Sequence, residues 1–139
     1  MQYFMKLAIA EAQKAAARGS VPIGALVVRN RSLISSAGNE VVKNHDPTAH
    51  AEILAIRKAC SSLKSHIIDD CDIYVTLAPC PMCAKAISLA RIRRLYFGAY
   101  DAERGAEFRM LLPKTQIIGG VLEIQCMKIL QNFFSERRT

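Results

Sequence analysis

Apolar residues recur at helical spacing over residues 2–18, where Phe4, Leu7, Ala8, Ala12 and Ala15 share one face and Gly19 ends the run. The period then changes. Residues 23–29 and 32–37 are β-rich on either side of Asn30-Arg31, which predicts a hairpin, although the strongest turn signal, Asn-Gly, is absent. A second helical pattern covers 49–59, with Ile53, Leu54 and Ile56 as its apolar face. Strands follow at 72–77 and 94–99, separated by a helix, and these alternations read as β-α-β units with parallel strands. A short strand at 116–118 and a last helix from 122 to about 136 complete an expected α/β fold, a three-layer α/β/α sandwich. No internal repeat or low-complexity segment interrupts it. At 139 residues and 51% hydrophobic, the chain is expected to form one domain, 1–139, with one sizeable core.

Candidate chemistry concentrates in two short segments, His50-Ala51-Glu52 and Pro79-Cys80-Pro81-Met82-Cys83. A carboxyl group with a pKa of about 4.3 cannot make hydroxide from bulk water at about 15.7, a gap of roughly 15 kcal/mol. Zinc brings water to about 7, and a positioned carboxylate can manage the roughly 3 units that remain while it moves the proton. One imidazole and two thiolates leave the fourth tetrahedral position open, whereas structural zinc sites usually fill all four.

Spacing places these groups. His50 and Glu52, two residues apart, would point to different sides of a helix interior, so both can reach one centre only if the segment lies at a helix start. Pro47 biases His45-Asp46 away from helix, and Thr48 is a candidate cap. In the second segment Pro81 reads as the first helical residue, with Cys80 at the cap and Cys83 one turn on, facing the same way. Two helix N-termini thus converge, and their partial positive ends favour thiolates. A lone C-x-x-C also fits a thioredoxin-like redox pair or half of a zinc ribbon, and no second C-x-x-C or distant His pair occurs. The co-occurrence of H-x-E at one helix start and P-C-x-x-C at another selects the metal reading. Cys60, Cys71 and Cys126 fall in apolar segments and are expected in the core.

In their wider setting, His45-Asp46-Pro47-Thr48-Ala49-His50-Ala51-Glu52 and Tyr74-Val75-Thr76-Leu77-Ala78-Pro79-Cys80-Pro81-Met82-Cys83, these segments resemble the cytidine deaminase superfamily, most of all the bacterial tRNA-specific adenosine deaminases. The likeness runs nearly end to end. Val21-Pro22-Ile23-Gly24-Ala25 is similar to the family's first strand and Gly38-Asn39 to its pocket asparagine. Phe97-Gly98-Ala99-Tyr100-Asp101 with Gly105-Ala106 is similar to the loop at its active-site rim, and Phe133-Phe134-Ser135-Glu136-Arg137-Arg138 to its C-terminal helix. The resemblance implies a cytidine deaminase-like, five-stranded mixed sheet with helices on both faces. It implies one zinc ion (Zn2+) per subunit held by His50, Cys80 and Cys83, with Glu52 as general acid and base. It also implies that Asn39 hydrogen-bonds a flipped base and that His45 and Asp101 lie at the mouth of the pocket. Read by themselves, Asn39 also fits a turn after Gly38, and His45 and Asp101 fit ordinary loops. Three departures stand out: Ala78 where the family usually has Glu, Ser20 where an acidic residue is common, and a shorter stretch 107–119. Ala78 is expected to alter rate more than to abolish function.

Charge bears on the substrate. Nineteen Lys and Arg against twelve Asp and Glu give +7, the surplus that a protein contacting phosphates needs. The basic clusters are Arg91-Ile92-Arg93-Arg94 and Arg137-Arg138, with Arg104, Arg109 and Lys114 expected near the rim; a solvated face is the alternative reading for each. A base enters a pocket most cheaply from a single-stranded loop, and an anticodon loop meets that description. The expected activity is therefore zinc-dependent hydrolytic deamination of adenosine to inosine at the wobble position of a tRNA anticodon stem-loop. The alternative is deamination of a free base or small nucleoside such as guanine or cytosine. A non-catalytic zinc-stabilised binding module is disfavoured by Glu52 and by the three-ligand set. The resemblance further implies a homodimer; the apolar helix carrying Ala84, Ala86, Ile87, Leu89 and Ala90 fits a subunit contact and equally fits the core. Lys6, Glu11 and Lys14 interrupt the apolar N-terminal stretch, so neither signal peptide nor membrane span is expected, and five cysteines including a C-x-x-C suit a reducing cytoplasm.

Overall fold

The computed structural model describes residues 1–137. The predicted hairpin consists of β1 (Gly24–Arg29) and β2 (Ser32–Gly38), paired antiparallel with a bulge between Val27 and Val28. Its turn residues Asn30 and Arg31 have φ of 49° and 61°, the left-handed pair that a type I′ turn demands, so the turn type is the favoured one despite the missing glycine. α1 (Gln2–Ala17) precedes the hairpin, and α2 (Ala51–Leu63), β3 (Cys71–Leu77), α3 (Pro81–Ala90) and β4 (Arg94–Ala99) follow it. β5 (Gln116–Ile118) and α4 (Glu123–Glu136) end the fold. The sheet order is β2-β1-β3-β4-β5, with β1 antiparallel to both neighbours and β3, β4 and β5 parallel, the mixed sheet that the resemblance implied.

Alternation along the strands separates two cores. Ala25, Val27, Ile73, Val75, Leu95 and Phe97 face α2 and α3, where Ala55, Ala59, Ala84 and Ile87 meet them. Leu26, Val28 and Tyr74 face the other way, toward Met5 and Ala8 of α1 and Cys126 of α4. Close approach on this second face needs a missing side chain: a Cβ on Gly24 would run into the Ala8 carbonyl oxygen of α1. The result is an α/β/α sandwich in which the parallel strands β3 and β4 end side by side, Leu77 opposite Ala99. Ligand sites on such sheets lie beyond the carboxyl ends of the strands.

Several boundaries and placements differ from expectation. α2 starts at Ala51 and not at 49, because Asp46 Oδ1 accepts from the Thr48 N–H (2.9 Å) and hydroxyl (2.7 Å) and holds Thr48 in a turn ahead of the helix. Cys71 and Cys126 are core residues as expected, whereas Cys60 is only half-buried on α2. Residues Glu107–Leu111 form a 3-10 turn that drives Phe108 onto Phe97, with ring centroids 5.5 Å apart. Lys114 does not lie at the rim: β5 begins beside Arg94, at the opposite end of the sheet, and carries Lys114 there. Arg138 falls outside the described residues. Among the described residues no helix is long and apolar enough to cross a membrane.

Candidate metal centre and active site

The helix starts that the spacing required are present. His50 is the N-cap of α2 with extended dihedrals (φ −69°, ψ 151°), so its ring leaves the helix direction while Glu52 sits in the first turn. Cys80 is likewise the extended N-cap of α3 (φ −69°, ψ 168°), Pro81 occupies the first helical position, and Cys83 lies in the same turn. His50 Nδ1 stands 3.6 Å from Cys80 Sγ and 3.4 Å from Cys83 Sγ. Bonds of about 2.3 Å to sulfur and 2.05 Å to nitrogen, at a tetrahedral angle, separate those atoms by roughly 3.6 Å. The three ligand atoms lie within 4.8 Å of one another, and the set fits one zinc ion per subunit with little rearrangement.

Electrostatics around the triplet follow from burial and from the shared proton. The Cys83 thiol hydrogen-bonds to Cys80, which takes Cys80 down to about 5 and, together with burial, pushes Cys83 upward. Glu52 is 4% exposed, and desolvation raises its carboxyl to about 7, against which its own backbone hydrogen bond acts. A carboxyl poised there can both take and give a proton near neutral pH.

The remaining candidates have mixed positions. Asn39 directly follows β2 and is 8% exposed; its Oδ1 accepts from the Val41 N–H (2.9 Å) and its N–H donates to the Ile23 carbonyl (3.1 Å). The amide oxygen is thus spent on the turn, as the turn reading expects. His45 is exposed in the loop before Asp46, with φ 49°. Asp101 lies two residues past Ala99, at the same sheet end as the metal triplet, but its Oδ1 accepts from the Glu103 and Arg104 N–H groups at 3.0 and 3.2 Å, so it also closes its own turn. No motif marks Arg18, yet its Nη2 donates to the Asn39 carbonyl (2.9 Å) and pins the start of the β2–α2 loop to the end of α1. Only the tertiary fold brings these positions together.

The departures at Ala78 and Ser20 have local accounts. The buried Ala78 donates its N–H to the Ala99 carbonyl (2.9 Å), so the backbone itself ties the Pro79-Cys80 turn to the end of β4 where a carboxylate was expected to help. Ser20 is 2% exposed and its Oγ has no hydrogen-bond partner. A buried orphan hydroxyl costs about 1 kcal/mol or more, so Ser20→Ala is expected to raise stability by about that amount, read as a higher urea midpoint with an unchanged slope.

A sheet of this order with a His-Cys-Cys triplet and a buried glutamate at two converging helix N-termini defines a zinc-dependent deaminase-type site. The family model described as the cytidine and deoxycytidylate deaminase zinc-binding region matches residues 1–99. A tRNA-specific adenosine deaminase of Agrobacterium fabrum is 44% identical, over 98% of this chain and 95% of the relative. A solved structure from a study of A-to-I editing by tRNA:A34 deaminases at the wobble position is 43% identical, covers 94% of this chain and 100% of that one, and superposes with a TM-score of 0.87. The guanine deaminase of Bacillus subtilis is 37% identical with a TM-score of 0.70, over 80% of this chain and 73% of that one. The chain belongs to the zinc-binding cytidine deaminase family and, within it, to the tRNA-specific adenosine deaminases.

Proposed function

We propose that this protein hydrolyses the wobble adenosine of a tRNA anticodon to inosine, with water as co-substrate and ammonia as product. The observation that carries the reading is the placement of a fully buried Glu52 beside three convergent zinc ligands. Its support is a likeness to tRNA-specific adenosine deaminases along nearly the whole chain. His50, Cys80 and Cys83 hold the metal, and zinc, when bound, supplies the Lewis acidity that makes water a usable nucleophile near neutral pH. Glu52 accepts a proton at a carboxylate oxygen and returns it to the amine leaving C6 of the purine. Asn39 presents its amide NH2 to the base, while His45 and Asp101 stand at the mouth.

The chain works as one cytoplasmic domain, 1–139, and as a homodimer. Ala84, Ile87 and Ala90 of α3 turn inward to the core, which leaves Leu89 (65% exposed) and Met82 (36% exposed) as the outward apolar face, next to the turn bearing Met110 (86% exposed). Exposed apolar residues of this size favour a protein contact. Leu89→Lys is expected to convert the dimer to a monomer in analytical ultracentrifugation; a wild-type protein that is already monomeric rejects the contact.

The 37% identity to a guanine deaminase makes a free-base substrate the second reading. Steady-state ammonia release decides between them: kcat/KM for an anticodon stem-loop with wobble adenosine is expected to exceed that for guanine, cytosine or adenosine by at least about 10³-fold, about 4 kcal/mol of transition-state discrimination. Comparable values for free guanine and the stem-loop move the protein to the small-substrate branch.

A further inference from the structure

The Arg91-Ile92-Arg93-Arg94 cluster is not part of the zinc site. α3 runs ten residues from Pro81 beside the metal ligands to Ala90, a rise of about 15 Å, and delivers the cluster to the far end of the sheet. Two grooves lie there. One, of about 680 Å³, lies on the α1 face, where Tyr3, Tyr74 and Tyr96 meet Arg31 and Arg94. The other, of about 520 Å³, lies under the C-terminus of α3 with Arg91 and Lys114 in its wall. Arg93 lines both grooves.

Charge, backbone and rings point to one kind of ligand. Between them the two walls carry five cationic side chains, Arg31, Arg91, Arg93, Arg94 and Lys114, against Asp69 and Asp72. Asp72 is engaged by Arg93 at 3.2 Å and by Arg94 at 3.9 Å, whereas Arg31, Arg91 and Lys114 make no ion pair among the described residues. Arg31 and Arg91 both sit in left-handed backbone, φ 61° and 58°, a conformation that glycine adopts far more easily. Each strained position thus carries a long cation into a groove. Between them Tyr74 on β3 and Tyr96 on β4 stack with centroids 4.5 Å apart and planes 9° apart; Tyr74 is buried, Tyr96 is half-buried, and Tyr3 is 68% exposed beside them. Tyr74 and Tyr96 cover a face of each other, so Tyr3 is the ring whose face is open to a base, and the arginines around it suit phosphates. We infer that the two grooves bind a single-stranded stretch of RNA, phosphates along the cations and a base stacked on Tyr3 beside the Tyr96 edge, at a site separate from the zinc cleft.

The tyrosines make the test direct. The chain has four tyrosines and no tryptophan; three line this groove, and Tyr100, 51% exposed, lies at the zinc-side rim. Zinc-loaded protein carrying fluorotyrosine is titrated with an oligouridylate of about eight nucleotides, which offers no amine to the active site, and followed by fluorine NMR. The Tyr3, Tyr74 and Tyr96 signals are expected to shift while Tyr100 stays in place. The double variant Arg31→Gly, Arg91→Gly is expected to melt at a higher temperature, yet to bind roughly 10- to 30-fold more weakly at 0.1 M salt, its log–log salt slope shallower by about 1.4 from two lost phosphate contacts. Movement of Tyr100 alone, or a double variant with unchanged affinity and slope, overturns the inference. Equal shifts at equal affinity with uridine monophosphate overturn the RNA track in favour of a single-nucleotide site. Failure here leaves the wobble reading intact, because that reading is tested at the Tyr100 side.

Discussion

Replacing Glu52 by glutamine is expected to lower kcat by about 10³- to 10⁴-fold while zinc content and melting temperature stay close to wild type. The substitution keeps volume and removes only the ability to accept and return a proton. Because Glu52 is buried and glutamine has nearly its shape, the neutral amide fits a site where burial disfavours the carboxylate. KM for the stem-loop should hardly move, since the carboxyl acts in the transition state and not in docking. Metal analysis, thermal unfolding and single-turnover kinetics on the same preparation check all three statements. Zinc retained with wild-type turnover removes Glu52 from the reaction, and zinc lost would make it a ligand.

Stripping zinc, or changing Cys83 to alanine, acts on fold and reaction together. Cys83 is wholly buried at the start of α3, and the metal links the N-termini of α2 and α3, whose helices otherwise meet through a modest set of contacts. A ligand present at a thousandfold its dissociation constant stabilises by about 4 kcal/mol, which for a chain of this length corresponds to about 10 °C in melting temperature. Chelation of the wild type is expected to lower the melting point by about that much and to abolish turnover, both restored by added zinc. In Cys83→Ala the loss of turnover should persist and zinc should recover little of the stability. A wild type that melts at the same temperature with and without chelator contradicts a metal held by these three residues.

The parts of the fold that were legible in the sequence are those decided locally. Helix and strand periods depend on neighbours three or two positions away, so α1, the hairpin, β4 and β5 fall where the pattern places them. The metal site was legible for the same reason: an extended N-cap explains how His50 and Glu52, two apart, reach one centre. The boundaries of α2 were not, because Asp46 competes for the Thr48 cap through its own side chain, an energy difference below what a cap propensity resolves. Arg18 and Lys114 were misjudged or passed over because their positions depend on contacts more than twenty residues away along the chain: Arg18 with Asn39, and the register that sets Gln116 beside Arg94. The left-handed turn at Asn30-Arg31 lies between these cases, since the hairpin was visible and the strained arginine was not.

The central claim, hydrolysis at one adenosine held by this zinc site, is tested most directly in water enriched in heavy oxygen. Zinc-loaded protein is incubated with an anticodon stem-loop that carries adenosine at the wobble position and elsewhere in the stem, and the digested nucleotides are mapped by mass spectrometry. The expected product is inosine at the wobble position alone, bearing the heavy oxygen at C6, with every other adenosine unchanged. An unchanged stem-loop beside rapid conversion of free guanine, or inosine without the label, contradicts the claim.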